Sequence, residues 1–293
     1  MTPYRRSIYN PILIYRLLLL LALTIISSGS NAEPLANHQH RIISTDAGVT
    51  DVLFALGMGS SLVGIDATSV LPSEVTSDKV ANLGYHRMLP AEGLLSLNPD
   101  LIIGSEHMGP PETIEAIKKA DLTLEQLPVA KDEDTLKGNI KIISKLVDKQ
   151  DQAQALLNHI DKTMADVKQQ QLPVGTKVAF LLQLEGRGLR LAGKDTTGED
   201  LILLLGGSNI AQHNSYQSVS AEALLSLEPD VIIVAGRDAS QSSVNLLLKN
   251  NPLLQHTPAV QQQKIIEVDG RLLVAGISLS AVDALANMAK QLH

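Results

Sequence analysis

Along most of the chain, apolar residues fall in short dense runs of strand length. Between these runs they recur every three or four positions, the spacing of a half-buried helix. Arg41 to Ser44, Leu62 to Ile65, Leu101 to Ile103 and Leu122 to Leu127 are the dense runs of the first half. Asp46 to Leu56, Ala91 to Leu97 and Thr113 to Ala120 carry the helical spacing; Thr45 or Asp46 is placed to cap the first, and Gly57 and Gly59 to end it. Strands alternating with helices in steps this short predict an open, largely parallel α/β sheet. Ligands of such sheets sit outside the carboxyl ends of the strands.

Residues 134–171 break the rhythm. Leu136, Ile140 and Ile143 begin a stripe that continues through Leu157, Ile160, Met164 and Val167, with no proline before Pro173. The stripe predicts one long helix joining two lobes; two helices broken near Lys149-Gln150-Asp151 are the other reading. After Gly175 the α/β pattern restarts, with strands at Val178 to Leu184 and Leu189 to Ala192, a helix at Glu199 to Leu205, a late strand at Lys264 to Val268 and a final helix from Ser278 to Leu292. Ala91 to Ile103, AEGLLSLNPDLII, recurs as Ala221 to Ile233, AEALLSLEPDVII, with ten of thirteen positions identical. An internal repeat of this kind implies two lobes built on one plan. The expected division is an N-terminal α/β lobe over residues 33–134, a linking helix over 135–172 and a C-terminal α/β lobe over 173–293. Tyr216 precedes the second Ala-Glu much as Tyr85 precedes the first.

The first 32 residues read as an export signal: Arg5 and Arg6, the apolar stretch Leu17 to Ile26, then Ser30-Asn31-Ala32 as a small-residue cleavage site. Removing them takes away three arginines and no acid, leaving 21 basic against 31 acidic residues, a net charge of −10. That balance argues against nucleic acid as a partner, since phosphate binding wants a basic face. The sequence contains no cysteine, which excludes disulfides, thiolate metal sites and lipid attachment at a processed cysteine. An exported, unlipidated chain points to a periplasm. His38 and His40 sit in a loose lead and read as solvated.

Aromatics are scarce: no Trp, Phe54 and Phe180, and beyond residue 32 only Tyr85 and Tyr216. In such a chain a tyrosine beside Gly84 draws notice. The stretch Asn82 to Pro111 sets Tyr85 on a glycine turn with His86, Arg87 and Met88, and follows the next strand with a polar loop carrying His107 and Met108. A phenol, an imidazole and a guanidinium on loops at the ends of buried elements make a candidate ligand site. Asp100 and Asp230, in the Pro-Asp turns of the repeat, read as structural caps before their strands. No Gly-x-Ser-x-Gly, phosphate loop or paired metal-binding histidines occur, so no catalytic constellation is evident.

The Leu-Gly-Tyr-x-Arg turn at Leu83 to Arg87, the Ser-Glu-x-x-Gly-Pro-Pro loop at Ser105 to Pro111, the Leu-x-Pro-Asp repeat and the long middle helix together resemble the periplasmic haem-binding proteins of bacterial haem ABC transporters. The likeness covers nearly the whole chain after residue 32. The Leu-x-Pro-Asp elements mark the wider family, which includes vitamin B12 and iron-siderophore binders; the tyrosine turn and the proline loop look specific for haem. The resemblance implies two Rossmann-like lobes with parallel sheets joined by one long helix, the class III periplasmic binding protein type. It implies a monomer that captures haem between its lobes and delivers it to an inner-membrane permease dimer, with binding and handover rather than turnover.

Residue by residue, the resemblance makes Tyr85 the axial ligand of ferric haem. A phenolate is a hard oxygen donor suited to ferric iron. It places Arg87 near the ligand or the propionates. Arg237 and Arg187 are further candidates for the propionates, because arginine matches a carboxylate with two parallel hydrogen bonds. Some relatives add a histidine where this chain has Leu184; His86, Met88, His107 and His213 are then the candidates for the sixth position. Glu92 and Glu222, equivalent in the repeat, imply a pair that docks on permease arginines. One haem per chain is the default, with two stacked haems the other stoichiometry. The competing functions are a corrinoid or siderophore binder of the same fold and, from another class, a haem-modifying enzyme or Rossmann-like oxidoreductase.

Overall fold

The computed structural model describes residues 40–72, 79–184, 188–236 and 242–293. The expected export signal and His38 lie outside the described residues. In the N-terminal lobe, strands β1 (Ile42–Ser44), β2 (Leu62–Ile65), β3 (Ala81–Asn82), β4 (Leu101–Ser105) and β5 (Thr123–Leu127) form a sheet of order β3-β2-β1-β4-β5, and every pairing is parallel. The connections carry α1 (Ala47–Ala55), α2 (Ala91–Ser96) and α3 (Pro111–Lys119). Because helices cover both faces, β1 and β4 are buried along their whole length, which is why they read as unbroken apolar runs. Asp46 caps α1, its Oδ1 accepting from Gly48 N–H at 2.8 Å and Val49 N–H at 3.3 Å.

The helical stretch differs from the single linking helix expected over residues 135–172. It is two helices, α4 (Glu133–Leu146) and α5 (Gln150–Gln169). They lie antiparallel: Lys137 of α4 meets Asp161 of α5 at 2.7 Å, while Glu133 meets Lys168 at 3.1 Å. The break is set by Asp148, whose φ of 52° is left-handed, and by Lys149 N–H, which reaches back to Ser144 O at 2.8 Å as in a Schellman stop. Apolar spacing could not reveal this turn, because the stripe keeps its period on both sides of it.

The C-terminal lobe comprises β6 (Lys177–Leu184), β7 (Gly188–Ala192), α6 (Thr197–Leu204), β8 (Ser208–Asn209), β9 (Tyr216–Ser218), α7 (Ala221–Leu227), β10 (Val231–Gly236), α8 (Ser243–Asn250), α9 (Pro258–Gln261), β11 (Ile265–Asp269) and α10 (Leu279–Leu292). Its sheet has the order β11-β10-β6-β7-β9, with β8 joined to β6. β10 pairs in parallel with β6 and β11, but β7 runs antiparallel to β6 and β9 antiparallel to β7. The expectation of parallel sheets in both lobes therefore holds for the first lobe and is corrected to a mixed sheet in the second. The connection from β6 to β7 is too short for a crossover helix, so the chain can only turn back.

The repeat folds as a repeated clasp. Asp100 N–H donates to Arg41 O at 2.9 Å while its Oδ2 accepts Arg41 N–H at 2.9 Å; Asp230 does the same with Lys177, at 2.8 Å each way. Each Pro-Asp turn thereby pins the start of a neighbouring strand. Along β6, Val178 and Phe180 face one core while Ala179 and Leu181 face another. The first of these cores is continuous through both lobes, running from Ile42 and Leu53 through Ile160 and Met164 to Phe180, Val282 and Leu285. Where the lobes cross, Gly276 bridges to Ala130, and Ile277 N–H donates to Ala130 O at 2.7 Å.

Gly276 has φ +70°, and a Cβ there would stand 2.4 Å from Ala130 O and 2.7 Å from Val129 Cγ1. Gly276→Ala is expected to cost roughly 2–3 kcal/mol, from the left-handed backbone and the overlap together. Asp148→Gly, at a position already left-handed, is expected to be neutral or stabilising by under about 1 kcal/mol. Urea denaturation of the two variants beside the parent measures both.

Candidate functional site

Two loops at the carboxyl ends of β3 and β4 build the site. After β3, Asn82 Oδ1 accepts Gly84 N–H at 2.9 Å, closing an Asx turn, and Gly84 takes the φ of +82° that a side chain would disfavour. Leu83 N–H donates to Ile65 O and Ala67 N–H to Gly84 O, both at 2.8 Å, so the turn is stitched to the end of β2. Tyr85 follows in an extended conformation and starts a single 3₁₀ turn, His86–Met88, with Met88 N–H on Tyr85 O at 2.8 Å. The second loop is held against the first by its backbone. Gly109 N–H donates to His86 O and Leu89 N–H to Gly109 O, each at 2.9 Å, and Thr113 Oγ1 donates to Leu89 O at 2.7 Å.

The side chains on this platform divide sharply. Tyr85 is 49% exposed and Met88 71% exposed, and Arg87 also faces outward. His86 is buried, although the sequence suggested an open loop histidine: its Nδ1 lies 3.3 Å from Asp66 Oδ2 and its ring meets that of Tyr85 at a centroid distance of 4.4 Å. Met108 is likewise turned inward, into a core with Ile43, Leu89 and Leu94. His107 is exposed. Asp66, which sequence reasoning missed, is fully buried and accepts from Thr68 and Ser69 through both backbone and hydroxyl. Burial pushes its carboxyl up, but the hydrogen bonds from His86, Ser69 and Thr68 outweigh burial and hold it below the usual range. The signal was there as Asp-x-Thr-Ser directly after a strand, the pattern of a side-chain-closed turn.

The second lobe contributes less that can be described. Arg187 and Arg237 lie outside the described residues, and Leu184 ends β6 with its side chain also outside them. Tyr216, which the repeat set in parallel with Tyr85, has a different environment. It pairs with Ala192, beyond the Leu191–Leu181 pair and so short of the carboxyl end of β6. Burial pushes its phenol up to about 12, so it is no ready phenolate. His213 is half-buried and donates from Nδ1 toward Asn214 O at 3.2 Å and Ser215 O at 3.1 Å. Glu92 and Glu222 each stand exposed in the first turn of their helices, α2 and α7, where the helix dipole favours an acid. Among the described residues no group of three or more His, Cys, Asp or Glu could hold a metal ion.

Burial first, and the Arg87 guanidinium second, push the His107 imidazole below its ordinary value of 6.5. Its stabilising contribution is therefore complete above pH 6.5 and is lost as the pH falls through the lower folded value. An NMR titration should give a His107 midpoint below 6.5, and Arg87→Ala should raise that midpoint without fully restoring it, because burial is the larger cause.

A family model described as periplasmic binding protein matches residues 42–272. The chain is similar to the crystal structure of the periplasmic haem-binding protein HutB of Vibrio cholerae, with 31% identity and a TM-score of 0.77 over 87% of this chain and 99% of that one. It is similar to the apo form of the periplasmic haem-binding protein RhuT from Roseiflexus sp. RS-1, with 30% identity and a TM-score of 0.74 over 86% and 97% of the two chains. A vitamin B12-binding protein of Vibrio cholerae shares 26% identity over 198 residues, 67% of this chain and 70% of the relative. With the matched model spanning most of the described lobes and both structural neighbours covered almost end to end, this chain belongs to the periplasmic binding protein family.

Proposed function

We propose that this protein captures ferric haem between its lobes and hands it, without chemical change, to an inner-membrane ABC importer. The observation that carries the reading is Tyr85: a half-exposed phenol on a doubly stitched platform at strand carboxyl ends, in a chain otherwise nearly bare of aromatics. The 30–31% identity to haem-binding neighbours supports it. Ferric iron is a hard acid, and the phenolate is a hard donor among the axial ligands proteins offer to haem. A free phenol titrates near pH ~10, so the anion needs nearby positive charge; the iron supplies most of it and Arg87 adds to it. Arg87 and Arg237 serve the propionates, with Arg187 as a further candidate. His86 lies behind Tyr85 rather than on the haem face, which leaves the sixth position to water or to His107, His213 or Met88. Glu92 and Glu222 present one carboxylate per lobe to the two halves of a permease dimer, and the protein works as a monomer.

The relative that binds vitamin B12 favours a second reading, a corrinoid cargo in the same cleft. A corrinoid needs no anionic iron ligand from the protein, and this separates the two. In an absorption titration of residues 33–293, ferric haem is expected to bind saturably with a tyrosinate-type high-spin spectrum. Outer-shell changes at metal sites already cost 10–100-fold in affinity, so Tyr85→Ala should cost at least about 100-fold. Saturable cobalamin binding that survives Tyr85→Ala, with no saturable haem binding, would establish the second reading instead.

The carboxylate pair has its own test. In liposomes containing the cognate permease, Glu92→Lys and Glu222→Lys are each expected to lower haem-stimulated ATP hydrolysis while the haem titration stays as in the parent. Equal stimulation by both variants would remove these residues from the docking surface.

A further inference from the structure

The buried side of the Tyr85 turn is more heavily built than a turn requires. Asp66 has no exposed surface, yet its carboxylate accepts from Thr68 N–H at 3.1 Å, Thr68 Oγ1 at 2.5 Å, Ser69 N–H at 3.2 Å and Ser69 Oγ at 2.7 Å, with His86 Nδ1 at 3.3 Å. Ser69 Oγ continues to Thr50 Oγ1 at 2.7 Å, and Thr50 to Ser44 Oγ at 2.7 Å, so the carboxylate is anchored to the centre of the sheet. A buried carboxylate is costly to keep, and a helix or turn cap does not need one this deep. The same turn also grips the tyrosine backbone, through Ala67 N–H on Gly84 O. Tyr85 is thus held from both sides: the residue before it by a backbone bond from the Asp66 turn, the residue after it by the Asp66 carboxylate itself.

Building on the haem reading above, we propose that Asp66 and His86 form a positioning pair for Tyr85. Asp66 fixes the orientation of the His86 imidazole, and the imidazole is the wall against which the Tyr85 ring rests. The centroid distance of 4.4 Å and the interplanar angle of 52° put the two rings in direct, tilted contact. The bland alternative, a core histidine satisfied by its nearest acid, explains the Asp66 contact but not the ring contact with the exposed Tyr85 phenol. The division of labour resembles that of carboxylate–histidine pairs behind metal ligands, where the outer partner sets the orientation of the inner one. Here the inner group orients a phenolate through its ring instead of binding the metal. Both residues are buried beneath the Tyr85 surface, so their effect is to be read on the iron–oxygen bond.

The test compares His86→Phe, which keeps a ring but loses the tether, with Asp66→Asn, which keeps the shape and weakens it. Each variant is loaded with ferric haem. The iron–phenolate vibration is read by resonance Raman, haem release by transfer to excess apomyoglobin, and folding by the melting of the apoprotein. The expected result is release about tenfold faster in His86→Phe, the usual scale for loss of an outer-shell partner, with a shifted or broadened vibration. Asp66→Asn should fall between it and the parent. The double variant should be no worse than His86→Phe alone, because both break one link. A parental vibration and parental release in folded Asp66→Asn and His86→Phe would overturn the pairing, whatever happens to the melting temperature; should His86→Phe fail to fold, Asp66→Asn decides alone. Tyr85→Ala, run alongside, keeps the two failures apart. Retained haem in Tyr85→Ala sinks the ligand assignment; lost haem in Tyr85→Ala with unaffected pair variants sinks only the positioning role.

Discussion

The site depends on one backbone exchange, in which Gly109 donates to His86 O and accepts from Leu89 N–H. It turns two loops from different strands into one surface. The approach is close enough that a Cβ on Gly109 would stand 3.2 Å from Arg87 O, so a side chain at this point would push the two loops slightly apart. Exposed loops are ordinarily the least stable parts of a fold. Here the loop that carries Tyr85 is bonded through its backbone to β2 and to the Gly109 loop, which holds its outward side chains in place to meet a ligand. Recognition at such a surface relies on groups already in place, which lowers the ordering cost of binding.

The lobes share a scaffold but not a chemistry. The Asp100–Arg41 and Asp230–Lys177 clasps are the same device used twice, and the helices that follow Pro90 and Ser220 begin with the same Ala-Glu. Beyond the clasps the lobes diverge. The first keeps a purely parallel sheet and lifts its tyrosine to a strand end, while the second doubles back through β7 and β9 and buries Tyr216 beside Ala192. What was duplicated is the means of holding a strand, and the ligand-facing residues were shaped separately in each half.

The sequence disclosed what local physics controls. Dense apolar runs marked the buried parallel strands, Asp46 and Gly57 bracketed α1, and the Pro-Asp turns were recognisable as caps. Tyr85 stood out because so few aromatics compete with it. Two kinds of information were absent. The fold-back at Asp148 left the apolar period intact, so a pattern of spacings could not distinguish a hairpin of helices from a continuous one. The direction of His86 was equally invisible, since it is decided by Asp66, twenty residues away and brought near only by the pairing of β2 with β3. Neighbours in sequence, Tyr85 and His86 are assigned to opposite sides of the surface by tertiary contacts alone.

The final helix has a consequence for how the molecule comes into being. α10 packs against α5, and Ser280 Oγ donates to Asp51 of α1 at 2.6 Å, so a helix of the second lobe completes the core around α1 of the first. Val282, Leu285 and Met288 are fully enclosed in that shared core, beside Val49 and Leu53. A chain delivered amino-terminus first presents its early strands long before this helix. Until it arrives, the first lobe waits with one apolar flank open, a window in which chaperones or neighbouring chains compete for it. The two lobes are therefore completed together, only once this helix has arrived.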